Sequence, residues 1–268
     1  MPERRLAAIT GGSSGIGASF ARKLAARGYD LLLIARRQDR MRALASELSS
    51  AHPIRVDTMT ADLSLDADID AAADRLRADP NLGLLVNNAG FGLRGFFFEA
   101  DVEGQDRMHR VHVLATMRLS HAALINLVAQ GSGGIINVAS VAGFSQSPGG
   151  VSYSATKAWM ISFTEGLSLE LMVRQSPVKV QALCPGFTLS EFHDVVGMDR
   201  SAIPSSLWMP ADFVVEDSLR AFDKGQVICI PGWRYKLIAK GMKLVPRSFA
   251  ASMAMRFRKP KVASGTSR

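Results

Sequence analysis

The 268-residue chain has only two cysteines, Cys184 and Cys229, and they lie far apart in sequence. This count excludes a disulfide framework and a cysteine-based metal cluster, and it favours reduced thiols in a cytoplasmic setting. No uninterrupted apolar run of about 18 residues occurs, so we expect no transmembrane helix. The start, MPERRLAAIT, has an apolar run too short for a signal peptide.

Acidic residues are absent after Lys224, whereas eleven lysines and arginines occur from that residue to the end. The whole chain has 32 basic and 24 acidic residues and a net charge of +8, so residues 1–223 keep 21 basic and 24 acidic residues, a net of −3. The positive charge therefore belongs to the C-terminal stretch. This distribution does not predict a nucleic-acid-binding domain.

Short runs rich in Val, Ile and Leu alternate with longer amphipathic stretches. The predicted strands are RLAAIT, DLLLIA, IRVDTMT, LGLLVNN, GGIINVAS, VKVQALC and QVICI. The predicted helices lie near residues 15–27, 38–50, 66–78, 101–130, 152–174 and 210–223. This alternation predicts an α/β fold, a Rossmann-type doubly wound parallel sheet of about seven strands with helices on both faces.

A glycine-rich segment, TGGSSGIG, joins the first predicted strand to the first predicted helix. Gly11, Gly15 and Gly17 permit a sharp turn and allow a phosphate to approach amides at the helix N-terminus, where the helix dipole favours an anion. Ser13, Ser14 and Ile16 lie in the same turn. An ordinary tight turn is the alternative, but the position in the first strand–helix unit favours a dinucleotide phosphate site.

The second predicted strand ends in Ala35, Arg36 and Arg37 rather than in a carboxylate. A carboxylate at this point binds the ribose 2′-hydroxyl of NAD, whereas an arginine offers a planar fork for the 2′-phosphate of NADP. The sequence therefore favours NADP(H) over NAD(H). Two solvated arginines on a loop are the alternative.

Tyr153 and Lys157 in SYSATKAWMISF are four residues apart, so on a helix they share one face. A lone pair of this kind is most often a surface aromatic and a solvated charge. The alternative is that the ammonium lowers the pKa of the phenol. A unit charge about 4 Å away stabilises a phenolate by roughly 4 kcal/mol at an effective dielectric of about 20, which is about three pKa units.

An ordered set of motifs accompanies this pair: TGGSSGIG at 10–17, ADL at 61–63, NNAG at 87–90, Ser140, YSATK at 153–157 and PG at 185–186. With this set, the chain resembles a short-chain dehydrogenase/reductase of the single-domain TGxxxGxG subgroup over residues 5–232. The resemblance implies an enzyme that transfers a hydride between a nicotinamide and a CH–OH or C=O group. It also implies a homodimer or homotetramer, formed through the helices near 101–130 and 152–174.

The resemblance implies a role for each catalytic residue. Tyr153 would be the general acid in carbonyl reduction and the base in the reverse reaction. Lys157, together with the positive nicotinamide ring of the oxidised cofactor, would favour the phenolate, and it would also bind the nicotinamide ribose. Ser140 would hold the substrate oxygen. The residues that the resemblance assigns to the cofactor, besides the turn, the arginines and the Tyr–Lys pair, are Asp62, Leu63, Asn88, Ala89, Gly90, Pro185, Gly186 and, with less support, Thr188.

One position departs from the family pattern. His112 stands where the family usually has an asparagine that supports a bent helix and a water chain from the active-site lysine. Histidine donates and accepts hydrogen bonds and titrates near neutrality, so His112 is a candidate for the proton relay. A packing histidine is the equally weighted alternative. No histidine pair has convincing metal-ligand spacing, and we expect no metal site.

Substrate selection in this family depends mostly on the segment after the sixth strand, here about 187–209. Its large side chains suggest a mobile lid over a hydrophobic carbonyl or alcohol substrate, although several of them could simply cover the core. They are Phe187, Phe192, Val195, Val196, Met198, Ile203, Leu207, Trp208 and Met209. Phe91, Leu93, Phe96 and residues 144–146 could line the same cleft. A fatty ketone or aldehyde, a steroid-like ketone and a β-ketoacyl thioester all remain open.

We interpret residues 1–232 as the NADP-binding catalytic domain and residues 233–268 as its basic helical extension, divided by Pro246. The extension could cover the cleft, pack against a partner subunit, or contact an anionic membrane peripherally through residues 234–258. Two other functions are kept beside the oxidoreductase. One is a dehydratase or epimerase on the same scaffold, and the other is a non-catalytic NADP-binding sensor.

Overall fold

The computed structural model describes residues 4–93, 95–146, 148–191 and 203–244, and for residues 242–244 only the backbone. Strands and helices alternate through most of this length. The strands are β1 Leu6–Thr10, β2 Asp30–Ala35, β3 Val56–Thr60, β4 Leu82–Asn87, β5 Gly134–Val138, β6 Lys179–Leu183, β7 Thr188–Leu189, β8 Met209–Pro210 and β9 Ile228–Cys229. The α-helices are α1 Gly15–Ala26, α2 Gln38–Ala51, α3 Asp66–Arg77, α4 Val102–His109, α5 Thr116–Gln130, α6 Val151–Val173, α7 Ala211–Asp223 and α8 Trp233–Leu244.

Seven strands form one sheet in the order β3-β2-β1-β4-β5-β6-β9, and all neighbouring strands are parallel. The predicted Rossmann-type sheet of seven strands is therefore confirmed, and each predicted run contains one of its strands. The order reverses between β1 and β4, because β2 and β3 lie on one side of β1 and the later strands on the other. A crevice for a ligand opens at the carboxyl ends of the strands at such a reversal.

Each central strand is apolar on both faces because helices cover both faces. In β1, Ala7 and Ile9 pack on the side of α1, α2 and α7, while Leu6 and Ala8 pack on the side of α3 and α5. Each of these four side chains is at most 2% exposed. Burial of this kind explains the unbroken apolar runs, since neither face meets water.

The long predicted helix near 101–130 is interrupted in the structure. A π-helical turn, Arg110–Ala115, joins α4 to α5. The stretch Val102–Gln130 is long and apolar enough to cross a membrane by length and composition, but half of its most apolar window is buried inside the fold. A core helix of a soluble protein passes the same test, so this is weak evidence for a membrane span.

A group of buried polar side chains joins the middle of the sheet to α5 and α6. Asn87 of β4 pairs in register with Asn137 of β5. The Asn87 amide nitrogen donates to Asn137 Oδ1 at 2.9 Å and to Ser120 Oγ at 3.0 Å. The Asn137 amide nitrogen donates to Thr164 Oγ1 at 2.9 Å. Two strands and two helices are therefore linked by side-chain hydrogen bonds beneath the crevice.

Candidate active site

The glycine-rich turn has the backbone geometry that the sequence predicts. Gly11 and Gly15 adopt φ of +64° and +53°, a region that residues with a Cβ rarely enter. At Gly17, a Cβ would come within 2.2 Å of the carbonyl oxygen of Gly11. The turn therefore folds tightly onto the start of α1, whose free backbone amides face the crevice side. A tight glycine-rich cradle at the start of a helix fits a dinucleotide phosphate.

The turn after β4 is tied to the glycine-rich turn. Thr10 Oγ1 accepts hydrogen bonds from the backbone amides of Asn88 and Ala89, each at 2.9 Å. The Asn88 side chain in turn donates to the carbonyl oxygens of Thr10 at 2.9 Å and Gly11 at 3.2 Å. The Asn88 amide group thus holds the two turns together, and the backbone of Ala89 and Gly90 is fixed beside the predicted phosphate site.

Arg37 reaches the same turn from the end of β2. Its guanidinium donates to Ser14 Oγ at 2.7 Å and to Ser13 Oγ at 3.3 Å, and it pairs with Glu191 at 2.8 Å. Arg40 pairs with the same glutamate. Arginine hydrogen bonds lower the pKa of Glu191. The structure therefore places Arg37 together with Ser13 and Ser14, and it adds a carboxylate that sequence reasoning missed.

Arg36, next to Arg37, is largely exposed. Its guanidinium lies 4.0 Å from a carboxylate oxygen of Asp62, just beyond β3. Burial raises the pKa of Asp62, but hydrogen bonds from the backbone and hydroxyl of Ser64 and the charge of Arg36 outweigh burial and lower it. Leu63 is buried in the core. An ionised acceptor thus stands at the edge of the crevice where the family resemblance expects an adenine contact.

Ser140, Tyr153 and Lys157 meet at the carboxyl ends of β5 and β6. The Ser140 hydroxyl is hydrogen-bonded to the Tyr153 phenol, and its oxygen accepts the backbone amide of Ala142 at 3.1 Å. The Lys157 ammonium lies 5.8 Å from the centre of the Tyr153 ring, one helical turn along α6, and donates to the carbonyl of Val138 at 2.8 Å. The structure therefore brings the three residues together as the sequence predicts.

The pKa values of Tyr153 and Lys157 both depart from their ordinary values. Burial raises the pKa of Tyr153 to about 12, although the Ser140 hydrogen bond acts in the opposite direction. Burial lowers the pKa of Lys157 to about 7, since its side chain is only 4% exposed. Desolvation dominates both of these pKa values. The lowering of the Tyr153 pKa that Lys157 and an oxidised nicotinamide would produce together stays a prediction. The phenol is protonated at neutral pH, as a general acid must be.

His112 is fully buried in the π-helical turn. Its Nε2 accepts the backbone amide of Phe91 at 3.2 Å, so the ring proton lies on Nδ1, which is 2.9 Å from Thr156 Oγ1. Thr156 Oγ1 donates onward to the carbonyl of Tyr153 at 2.9 Å. Burial first, and the charge of Lys157 second, lower the pKa of His112 well below its ordinary 6.5. The ring is therefore bonded to the turn after β4 and to α6, and a part in the proton relay stays a prediction.

The segment after β6 is anchored by a residue that sequence reasoning missed. Tyr235 of α8 accepts the backbone amide of Phe187 at 3.0 Å and donates to the carbonyl of Leu207 at 2.7 Å. Its ring packs on Gly186, where a Cβ would come within 2.1 Å of it. Only an apolar aromatic in a helical pattern signalled this residue, because its partners are 48 and 28 residues away in sequence.

Some of the other predicted residues of this segment form hydrogen bonds or pack on the core, and the rest lie outside the described residues. Pro185 accepts the backbone amide of Val141 at 3.0 Å, and the Thr188 hydroxyl donates to the carbonyl of Gly186 at 3.1 Å. Met209 and Leu207 pack against the core, and Trp208 lies 5.4 Å from the ring of Phe187. Phe192, Val195, Val196 and Met198 lie outside the described residues, as do Pro246 and residues 245–258 of the predicted membrane segment.

Known proteins match both the sequence and the fold. A family model described as short chain dehydrogenase matches residues 5–200. A 3-oxoacyl-[acyl-carrier-protein] reductase of Aquifex aeolicus is 30% identical over 241 residues, which is 85% of this chain and 96% of that protein. A short-chain dehydrogenase from Sphingobium yanoikuyae in complex with NADPH is 34% identical, with a TM-score of 0.82 over 97% of this chain and 98% of that one.

A second solved structure is the bulky-bulky ketone specific alcohol dehydrogenase from Comamonas testosteroni. It is 30% identical, with a TM-score of 0.77 over 97% of both chains. These likenesses cover nearly the whole chain and include the segments that carry Ser140, Tyr153 and Lys157. The chain therefore belongs to the short-chain dehydrogenase/reductase family and is an oxidoreductase that acts on CH–OH or C=O groups with a nicotinamide cofactor.

Proposed function

We propose that the protein is an NADP(H)-dependent reductase of hydrophobic ketones or aldehydes, which also oxidises the corresponding secondary alcohols. The observation that carries this proposal is the hydrogen bond between Ser140 and the Tyr153 phenol, one helical turn from the Lys157 amine. The three groups lie at the edge of the sheet that also carries the glycine-rich turn. The nicotinamide supplies or accepts the hydride when it is bound, and the protein supplies the proton.

Tyr153 is the proton donor in this proposal. With its pKa raised to about 12, the phenol is in the acid form throughout the neutral range. The Ser140 hydroxyl lies beside that phenol and would turn its proton to the substrate oxygen as negative charge develops there. Lys157 has its amine directed at the carbonyl of Val138 and the ring of Tyr153, so a positive charge on it would stabilise the phenolate left after transfer.

The test is NADPH consumption with a panel of ketones and aldehydes of increasing size. Tyr153→Phe is expected to lower kcat by at least about a hundredfold, because general acid catalysis contributes at least that much. NADPH affinity, measured by fluorescence, should be largely kept. Tyr29→Phe is the matched control, since the Tyr29 hydroxyl makes no hydrogen bond to the described residues. If the wild type binds NADPH but reduces no carbonyl compound, the sensor alternative replaces this proposal.

Preference for NADP(H) is supported by Arg37, which already binds the hydroxyls of Ser13 and Ser14, and by the exposed Arg36 next to it. A 2′-phosphate would find both guanidinium groups within one short segment, and Glu191 would release Arg37 to it. The double variant Arg36→Ala, Arg37→Ala is expected to lower the NADPH-to-NADH ratio of kcat/KM by about tenfold or more. Arg40→Ala, which also pairs with Glu191, is the control and should leave that ratio unchanged.

Peripheral contact with an anionic membrane is supported by the outer face of α8. Trp233 and Leu237 are 67% and 61% exposed, and Lys236 and Lys240 flank them on the helix. The substitutions Trp233→Ser and Leu237→Ser should reduce co-sedimentation with phosphatidylglycerol vesicles. Point variants are used rather than a deletion of α8, because a deletion would also remove Tyr235 from the core. Equal sedimentation of wild type and variants would contradict the membrane contact. The cytoplasmic location stays a prediction.

A further inference from the structure

Gln105 has a buried side chain whose polarity the fold does not use. The residue lies in the second turn of α4 and is 9% exposed. Its backbone is satisfied, because its amide donates to the carbonyl of Asp101 at 3.1 Å and its carbonyl is 2.9 Å from His109 Nδ1. Within the described part of the chain, however, the side-chain oxygen Oε1 is buried without a hydrogen-bond partner.

The same side chain lies in the wall of a small pocket beside the proton donor. The pocket has an empty volume of about 190 Å³ that includes open solvent. Its wall is formed by Leu93, Gly95, Phe97, Gln105, residues 149–152 and Tyr153. No charged residue is among these lining residues. The pocket is therefore a small subsite with a largely polar wall that contains the Gln105 amide and adjoins the Tyr153 side chain.

The unpartnered oxygen makes Gln105 poorly suited to a purely packing role. A leucine or methionine would fill a similar volume without the desolvation of a carbonyl oxygen that finds no donor. A ligand group that donates a hydrogen bond to this oxygen would restore the bond lost on burial. Such a ligand would therefore bind more tightly than a ligand of the same shape without a donor, because the second ligand leaves the buried acceptor unpaired.

We propose that Gln105 is a substrate-recognition residue that accepts a hydrogen bond from a second polar group, a hydroxyl, on an otherwise apolar ketone. The inference rests on the proposed reductase function and narrows its substrate class from hydrophobic ketones to hydroxyketones with a bulky apolar frame. The reacting carbonyl lies at Tyr153 and Ser140, and the hydroxyl lies in the subsite of Gly95, Phe97 and Gln105. To accept this bond, the Gln105 amide must rotate so that Oε1 faces the hydroxyl.

The experiment compares a bicyclic ketone with its positional isomers that carry one remote hydroxyl, using wild type and Gln105→Leu with NADPH. Wild type is expected to prefer at least one hydroxylated isomer by about tenfold in kcat/KM, the effect of one hydrogen bond to a buried group. In Gln105→Leu the preference should fall to about one, mainly through a higher KM for the hydroxyketone. Gln130→Leu, the same exchange at an exposed amide bonded to the carbonyl of Pro80, should keep the wild-type preference.

Binding of the same compounds to the NADPH complex, followed by fluorescence, separates the two proposals. Absence of turnover with every ketone would count against the reductase, whereas a hydroxyl-dependent affinity that Gln105→Leu removes would still support the subsite. Equal affinity and equal kcat/KM for the hydroxylated and plain ketones in wild type would overturn the assignment of Gln105. A preference that survives Gln105→Leu would overturn it as well.

Discussion

The imidazole of His112 is held by two hydrogen bonds in a site that excludes water. One ring nitrogen accepts from the backbone of Phe91 and the other donates to Thr156, so addition of a second proton would break the first bond. Gly90 leaves room for the ring, because a Cβ there would lie 2.6 Å from Nε2. His112 therefore joins the turn after β4 to the helix of Tyr153 as a neutral residue.

This neutrality predicts a specific dependence of stability on pH. The pKa of His112 is depressed in the folded state, so the unfolded chain takes up the proton first as pH falls below 6.5. The free energy of unfolding should therefore decline between about pH 6.5 and pH 5, above the range where most carboxyl groups titrate. Denaturant unfolding of wild type and His112→Asn at several pH values measures this, and the asparagine variant should lack that part of the decline.

The same residue decides whether the proton relay exists. If His112→Asn and His112→Ala both keep wild-type turnover from pH 6 to pH 9, His112 carries no proton during the reaction. Parallel stability curves for wild type and His112→Asn would contradict the neutral, bonded ring instead. The two measurements are independent, because one follows catalysis and the other follows folding.

At the residue scale, motif spacing predicted Ser140, Tyr153 and Lys157 and the structure brings them together. The directions of their pKa shifts could not be predicted in the same way. They depend on how deeply α6 and β5 bury the amine and the phenol, and burial is decided by elements distant in sequence. Gln105 and Tyr235 were not predicted from the sequence for a related reason. Neither belongs to a motif, and the role of each depends on the residues that surround it in the fold.

At the element scale, Tyr235 ties α8 to both ends of the segment between β6 and α7. The backbone amide of Met209 also donates to the carbonyl of Phe187 at 2.9 Å, and β7 and β8 pair in parallel. The chain that leaves the crevice at Phe187 therefore comes back beside Phe187 at Met209. Helix α8, which lies beyond the residues that the family model matches, therefore holds the two ends of this segment together.

Tyr235→Phe keeps the ring on Gly186 and removes only the hydroxyl. We expect a loss of about 1–3 kcal/mol in the free energy of unfolding, because the amide of Phe187 and the carbonyl of Leu207 each lose a buried partner. The KM for ketones should rise more than kcat falls, since the substituted group shapes the site without touching the reacting atoms. Thermal unfolding and steady-state kinetics measure the two effects, and Tyr29→Phe serves again as the control. An unchanged KM would contradict the role in the site.

The contact between the glycine-rich turn and α1 gives a second prediction at this scale. Gly17→Ala places a methyl group 2.2 Å from the carbonyl oxygen of Gly11, so the turn must shift and NADPH affinity should fall by at least about tenfold. Gly166→Ala in α6 is the matched control, because a Cβ there meets no atom within 4 Å. That control should keep NADPH affinity and gain up to about 1 kcal/mol in stability. Equal NADPH affinity in both variants would contradict the tight cradle.

Element boundaries followed closely from the sequence where both faces of a strand or one face of a helix are buried. The π-helical turn at Arg110–Ala115 did not, since the apolar pattern through it is still that of a helix. The short pair β7 and β8 was missed as well. Each has two residues, and they form because Tyr235 and the backbone bond at Phe187 bring distant segments together.

At the scale of the whole molecule, apolar side chains remain exposed along the outer faces of α5 and α6. They are Ile125, Val128, Leu169, Met172 and Val173, between 45% and 83% exposed. These helices are the ones through which we propose the homodimer or homotetramer. Exposed apolar side chains on two adjacent helices are typical of a subunit interface.

The double variant Leu169→Glu, Val173→Glu should shift the molar mass in light scattering toward that of a monomer, because the charges would have to be buried at the interface. Phe213→Glu, a similar change on α7, should leave the mass as in wild type. A monomeric wild type, or an unchanged mass in the double variant, would contradict this interface.

The order of the sheet could be anticipated from the alternation of strands and helices, because right-handed crossovers leave few arrangements open. The course of the chain beyond β9 could not, since a basic amphipathic stretch suits a lid, an interface and a membrane equally. In the described part of α8, Tyr235 is buried in the core, so one face of this helix packs against the fold.

The paired amides of Asn87 and Asn137 also decide how the sheet is aligned. If β4 slid past β5 by one residue, both amides would face apolar side chains and lose bonds that no water could replace. Asn88 would move with β4 and leave Thr10 behind. This polar cluster thus fixes the alignment of β4 with β5, and with it the position of Asn88 beside the glycine-rich turn.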